Sequence, residues 1–175
     1  MLPFDEDAEK LRKESTPEEF IGETVYLENL PLEDNFYLDR SFVEATRAKV
    51  SSEATGKILD LFQNGVAEMS YFGHGSPNIW TDERIWFGGD SVNSDNLHLT
   101  NKDHLTFVTN MTCNSGAIDY PVPKWNVCIS EDAMRQKDGG AIAEFVPSGP
   151  GFSSSHVELS TALREALYRR RIREA

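Results

Sequence analysis

The sequence predicts an α/β fold with a mostly parallel central sheet. Three short apolar runs, at residues 66–72, 105–111 and 141–146, are each followed by a Gly-containing loop. Runs of this length that are rich in β-branched and aromatic residues and close on glycine are typical of buried strands. Helical patterns separate the runs, and strands that alternate with helices predict a parallel sheet whose carboxyl ends share one edge.

Capping residues and apolar spacing predict the helices between these strands. A helix over residues 51–65 begins at serines that can accept hydrogen bonds from free amides, and it ends at Gly65. A second helix is predicted to begin at Ser130, because two acidic residues follow in its first turn, and to end at a Gly-Gly pair. A last helix is predicted over about residues 156–173.

The region before residue 51 has weaker patterns. Residues 7–12 predict the start of a helix that is interrupted before Pro17, and residues 24–27 predict a short strand. Residues 31–50 show no clear period, and we expect a long connection that packs partly on the core.

Length and composition predict a single domain over residues 1–175 with an ordinary core. The net charge of −12 argues against a general nucleic-acid or anionic-membrane binder, because the phosphate field would repel the chain. Two cysteines exclude a disulfide scaffold, and no apolar run is long enough to span a membrane. The acidic N-terminus does not have the pattern of a signal peptide.

Two reactive side chains follow the first two predicted strands. His74 stands between two glycines after the first strand, and Cys113 follows the second, 39 residues later. Because parallel strands open on one edge, we expect the two side chains to be neighbours in space. A cysteine with a sequence-distant histidine is the pattern of a nucleophile and its base.

This pattern predicts amide hydrolysis by a thiolate. His74 would take the thiol proton and later return one to the leaving amine. The backbone N–H groups of Gly75 and Cys113 are the candidate donors to the oxyanion. The alternative is an inert buried cysteine and a structural histidine, which two such residues alone leave open.

A longer set of segments resembles the gingipain-type cysteine peptidases. YFGHGSPNIW is followed by TNMTCNSG, SEDAMRQKDGG and AIAEFVPSG, so the resemblance spans about residues 51–155. It implies a caspase-like three-layer α/β/α fold and endopeptidase chemistry, with His74 as base and Cys113 as nucleophile. It also implies the amides of Gly75 and Cys113 as oxyanion donors.

The chain departs from the family pattern at two places. Ala117 stands where the family usually has a phenylalanine, and only LPFDEDAEK remains of the region in which the family has an earlier strand. We therefore expect this chain to be the C-terminal part of a catalytic domain that lacks its first strand and part of its substrate pocket. An upstream part of the same protein is then an expected partner.

Several further residues are candidates for binding. Trp80 and Phe152 are candidate walls of a substrate pocket, although packing under the loop is an equal alternative for Trp80. Asp90, Asn93 and Asp95 offer oxygen ligands for a structural Ca²⁺ ion, but solvated turn residues are the stronger interpretation. The spacing of His and Cys does not predict a zinc site, and we expect no required cofactor.

The function predicted from the sequence is a cysteine-type endopeptidase that acts on polypeptides through a Cys113–His74 dyad and an acyl-enzyme intermediate. The alternative is a catalytically silent caspase-like module that binds peptides or protein partners. The family resemblance implies export to the cell envelope or beyond.

Overall fold

The computed structural model describes residues 3–34, 49–89, 92–119 and 127–169. In chain order its elements are helix α1 (Pro3–Ser15), strands β1 (Glu33–Asp34) and β2 (Lys49–Val50), helix α2 (Ser52–Asn64), strands β3 (Glu68–Phe72), β4 (Gly75–Ser76), β5 (Ile79–Trp80), β6 (Trp86–Phe87) and β7 (Thr106–Met111), helix α3 (Ile129–Met134), strand β8 (Ala141–Phe145) and helix α4 (Ser153–Arg164).

The centre of the molecule is a parallel sheet in the order β3-β7-β8. These strands coincide with the three predicted apolar runs to within two residues at each end, so the mostly parallel α/β fold is confirmed. Met69 pairs with Val108 and Phe72 with Met111, which places the carboxyl ends of β3 and β7 at the same level.

Helices cover both faces of this sheet, as a three-layer α/β/α fold requires. On one face, Phe62 of α2 stacks on Trp86 and packs in a core that includes Val108 of β7 and Ile129 of α3. On the other face, α1 and α4 pack together and Arg164 of α4 binds Glu68 of β3. In the described part of the chain, no helix is long and apolar enough to cross a membrane.

Capping residues determine where helix α2 begins and ends. The Ser51 hydroxyl accepts a hydrogen bond from the Ala54 amide, and Gly65 ends the helix with a left-handed φ of 77°. A side chain at Gly65 would meet the Cβ of His104 at 2.3 Å, so this position requires glycine for space as well as for conformation. Strand β3 follows directly, as predicted.

One local prediction was wrong, and two predicted helices are present with other bounds. Residues 24–27 form no strand; Leu27 begins a 3-10 turn over Leu27–Asn29, and Val25, Leu27 and Leu30 pack against the core. Helix α3 begins at Ile129 after the Cys128 cap and already ends at Met134. Helix α4 begins three residues earlier than predicted and continues as a π-helical turn over Glu165–Arg169.

The long loop between β3 and β7 contains ordered structure that the sequence did not predict. Strands β4, β5 and β6 form a small antiparallel sheet. The segment after β6 is held to helix α3 by a hydrogen bond from the Asn96 side chain to the Asp132 carboxylate. The Asp132 carboxylate accepts hydrogen bonds from the Ser94 hydroxyl, the Gly89 amide and the Asn96 amide group. Asn96 in turn accepts from the Trp86 indole at 2.9 Å, so the loop is fixed to α3.

A carboxyl group lies buried between β8 and α3. Glu144 lines a cavity of about 10 Å³ together with Trp80, Asn110 and Ser130, and its Oε2 has no hydrogen-bond partner in the described chain. Burial raises the pKa of Glu144 to about 8 from its ordinary 4.5, although a hydrogen bond from Ser130 acts in the opposite direction. The folded protein therefore holds this carboxyl protonated at neutral pH.

This burial predicts a pH-dependent stability. Between pH 4.5 and 8 the unfolded chain loses the Glu144 proton while the folded protein keeps it, so the free energy of unfolding should fall as pH rises. We expect a loss of about 3–4 kcal/mol from pH 5 to pH 8 that is absent in Glu144→Gln. Urea titrations at several pH values measure the free energy of unfolding. The same dependence of this free energy on pH in the native chain and in Glu144→Gln would contradict the buried carboxyl.

Candidate active site

The register of the parallel sheet brings the predicted dyad to one edge. Phe72 of β3 pairs with Met111 of β7, and the Gly73 amide donates to the Met111 carbonyl at 3.4 Å. His74 and Cys113 each follow two residues beyond this last pair. The residues that the sequence separates by 39 positions therefore leave adjacent strands at the same level and on the same edge.

His74 is exposed, and its backbone is held from two sides. Its carbonyl accepts hydrogen bonds from the Tyr71 hydroxyl at 2.6 Å and from the Thr81 amide at 2.8 Å. The Phe4 ring of α1 packs edge-on against the imidazole, with ring centroids 5.0 Å apart. The backbone of the candidate base is thus fixed, while its ring is partly covered by the N-terminal helix.

Cys113 is half-buried, and its thiol faces a neighbouring loop. The Sγ donates to the Gly151 carbonyl oxygen at 3.8 Å. Among the described residues, no hydrogen bond joins this sulfur to His74. The structure therefore places both groups at one edge but leaves the thiol directed at the β8–α4 loop.

That loop is attached to the residues that follow Cys113. The Asn114 amide donates to the Gly149 carbonyl at 3.2 Å, and the Gly116 amide donates to the Pro147 carbonyl at 2.9 Å. Asn114 has a φ of 58°, a left-handed conformation that asparagine tolerates better than most residues. The two loops form a single rigid wall beside the nucleophile candidate.

Gly75 allows the His74 hairpin to approach the cysteine loop closely. A side chain at Gly75 would meet the Thr112 hydroxyl at 2.2 Å, so any other residue would push the two loops apart. In the β4–β5 hairpin, Gly75 pairs with Trp80. The neighbouring pair, His74 and Thr81, is hydrogen-bonded, because the Thr81 amide donates to the His74 carbonyl. Hydrogen-bonded and non-hydrogen-bonded pairs alternate along an antiparallel ladder. The Gly75–Trp80 pair is therefore not hydrogen-bonded, and the Gly75 amide points away from β5.

The two candidate pocket residues differ in exposure. Trp80 is only 3% exposed and stacks on Tyr71 with ring centroids 4.5 Å apart, an arrangement that favours packing under the loop. Phe152 caps the start of α4 and is 81% exposed. It directly follows Gly151, whose carbonyl accepts a hydrogen bond from the Cys113 thiol, and its part in a substrate pocket stays a prediction.

The calcium hypothesis gains no support in the described ranges. There, no group of three or more His, Cys, Asp or Glu side chains is arranged to hold a metal ion. Asp90 lies outside the described residues, and the Asp95 carboxylate accepts a hydrogen bond from the Phe87 amide at 2.7 Å. Calcium binding by this loop stays a prediction.

Cys128 and His156 are a second cysteine and a second histidine, and both are buried. Cys128 is buried at the cap of α3, and burial raises the pKa of its thiol. His156 is 8% exposed, and burial lowers its pKa, partly offset by the Met111 carbonyl. No sequence pattern points to His156, because a lone histidine on a predicted helix has many possible roles. No pattern points to the contact of Phe4 with His74 either.

Comparison with known proteins identifies a family and several relatives of this chain. A family model described as peptidase family C25 matches residues 5–175. Gingipain R2 of Porphyromonas gingivalis strain W83 is 37% identical over 83 residues, which cover 47% of this chain and 10% of that protein. Gingipain R1 of the same species is 35% identical over 83 residues and is covered over 7% of its length. The aligned part of the chain thus spans a tenth or less of these relatives.

Solved structures give the same result at the level of fold. The crystal structure of the Arg-specific cysteine proteinase gingipain R aligns with a TM-score of 0.56 and 25% identity, over 66% of this chain and 26% of that one. The complex of P. gingivalis RgpB pro- and mature domains aligns with a TM-score of 0.55 and 28% identity, over 65% and 25%. The fold is caspase-like. Because the family model matches nearly the whole chain, this protein belongs to peptidase family C25.

Proposed function

We propose that the chain is a cysteine-type endopeptidase in which Cys113 is the nucleophile and His74 the general base. The observation that carries this proposal is the β3–β7 register, which delivers both side chains to one sheet edge at one level. Family membership supports the peptidase class. Polypeptides are the proposed substrate class. Phe152 is the candidate contact for a substrate side chain, because it is exposed and directly follows Gly151, whose carbonyl accepts from the Cys113 thiol.

The proposed reaction has two halves. The His74 imidazole takes the proton from Cys113, and Sγ forms a bond to the scissile carbonyl carbon, which becomes a tetrahedral oxyanion. Collapse breaks the C–N bond, and the imidazolium gives its proton to the leaving amine. Water then attacks the thioester with His74 as base, and the thiolate leaves as the carboxylic acid is released.

The oxyanion would bind at two backbone amides. The hairpin ladder leaves the Gly75 N–H unused, and the absence of a side chain there lets it lie close to Thr112, beside the nucleophile. The amides of Asn114 and Gly116 are bonded to loop carbonyls. The Cys113 amide is then the natural second donor, as the sequence predicts.

A silent binding module is the second candidate, and one observation favours it. The thiol donates to Gly151, and Phe4 packs on His74, and no hydrogen bond joins the two reactive groups in the described structure. An upstream part of the same protein, and export of the whole, stay predictions that accompany the first candidate.

Alkylation of the two cysteines against pH tests the proposal. We expect iodoacetamide to label Cys113 rapidly below about pH 7, under the ordinary thiol pKa of about 8.5, while the buried Cys128 reacts slowly. His74→Ala should move the Cys113 profile to higher pH. Mass spectrometry of the labelled peptides gives both rates in one sample. Equal, slow labelling of both thiols, unaltered in His74→Ala, would contradict the dyad and support the silent module.

A further inference from the structure

A buried imidazole stands behind the loop that faces the thiol. His156 lies in the first turn of α4, and its side chain is 8% exposed. A Cβ built on Gly151 would come 2.3 Å from Nε2 and 2.9 Å from Cε1 of this ring, so the imidazole lies directly against the Gly151 backbone. The absence of a side chain at Gly151 is what permits this contact.

Gly151 is the residue whose carbonyl accepts the hydrogen bond from the thiol. Its oxygen lies 3.8 Å from the Cys113 Sγ, and the same loop is bonded to the residues that follow the cysteine. A carbonyl oxygen in this position can accept a hydrogen bond from S–H but repels a negative charge, so it directs the thiol toward the loop. Whatever fixes this carbonyl also fixes the direction of the Cys113 thiol.

The imidazole also reaches the strand that delivers the cysteine. The Met111 carbonyl at the end of β7 acts on His156, and it accepts a hydrogen bond from the Gly73 amide. Met111 lies two residues before Cys113, and Gly73 directly precedes His74. His156 therefore contacts the backbone on both sides of the nucleophile candidate, at the loop and at the strand.

We propose that His156 is a positioning residue for Cys113, whose buried ring holds the Gly151 carbonyl against the thiol. The inference rests on the proposed function for its catalytic meaning, but its contacts stand independently of whether the chain hydrolyses peptides. His156 does not touch the reacting atoms; it acts through Gly151. It thereby sets the balance between a protected thiol and a reactive thiolate.

Reciprocal variants of the contact test this role. His156→Ala removes the ring, so the carbonyl is no longer held and the midpoint of the Cys113 labelling profile should move to lower pH by about half a unit or more. Gly151→Ala places a methyl group against the ring and should also displace the carbonyl. In the double variant the methyl group occupies space that the ring vacated, so its shift should be smaller than the sum of the two single shifts.

Matched controls separate positioning from general loosening. Gly149→Ala, in the same loop, meets no atom within 4 Å and should leave the profile unchanged. His156→Phe restores a ring against Gly151 and should return the midpoint close to that of the native chain. Cys128 reports opening of the fold, because loosening raises labelling rates of both thiols at every pH without moving a midpoint.

The outcomes are distinct from those of the dyad test. A midpoint shift confined to Cys113 in His156→Ala, reversed by His156→Phe, supports the positioning role even if native Cys113 labels slowly and the proposed function fails. Unchanged midpoints in both His156→Ala and Gly151→Ala, or parallel acceleration of Cys113 and Cys128, would overturn it.

Discussion

Replacement of Cys113 by alanine should abolish peptide hydrolysis and leave the fold unchanged. The substitution removes the atom that forms the acyl-enzyme bond, and loss of a nucleophile that acts as one unit with its base lowers kcat by at least about 10⁴-fold. The fold should survive, because the only hydrogen bond of this sulfur within the described chain is a weak one to Gly151 at 3.8 Å.

Turnover of a mixed peptide library, followed by mass spectrometry, measures this effect. Cys128→Ala is the matched control: its thiol is buried at the cap of α3 and makes no part of the proposed chemistry, so hydrolysis should continue. Circular dichroism and thermal unfolding should be alike for Cys113→Ala and the native chain. Retained turnover in Cys113→Ala would remove the nucleophile assignment.

Replacement of Arg164 by methionine should cost about 3–5 kcal/mol of unfolding free energy. The guanidinium of α4 binds Glu68 of β3 at 3.1 Å, and both side chains are almost buried, with relative exposures of 11% and 10%. It also donates to the Ser70 and Thr16 hydroxyls at 2.8 Å. The variant leaves the Glu68 carboxylate buried without its cation, which is the main cause of the expected loss.

Denaturant titrations of three variants separate the causes. Arg164→Met combined with Glu68→Gln should recover much of the loss, because no uncompensated charge then remains. Lys57→Ala removes an ion pair to Glu53 in which both side chains are 48% exposed, and it should change the stability by less than about 0.5 kcal/mol. Equal effects of Arg164→Met and Lys57→Ala would contradict a buried ion pair.

The elements that were predicted correctly are those that local patterns determine. Helix α2 carries its own start and end signals in Ser51 and Gly65, and strands β3 and β7 are apolar runs closed by turns. The expectation that the carboxyl ends of parallel strands share an edge placed His74 and Cys113 correctly along that edge. The rule that parallel strands end at one edge of the sheet thus predicted a long-range proximity that no local residue pattern indicates.

The features that escaped prediction depend on residues far apart in the chain. Nothing near Phe4 indicates that its ring packs on His74, and the role of His156 depends on a loop that only the folded sheet brings against Cys113. Residues 24–27 have strand-like composition, yet they pair with no strand of the described chain. Strand-like composition shows only that a segment can form a strand, whereas pairing with a neighbouring strand decides whether it does.

The parallel register also has a consequence for folding kinetics. Glu68 pairs with Phe107 and Thr106 with Ala141, so each neighbouring pair of strands closes a chain segment of more than thirty residues. Contacts of such long range form late and slowly, because the entropy of closing the loop is lost before the strands gain any stability. The strand ends that carry His74 and Cys113 therefore reach one sheet edge only when these long-range pairings form, so a partly folded chain does not yet hold the two residues at one level.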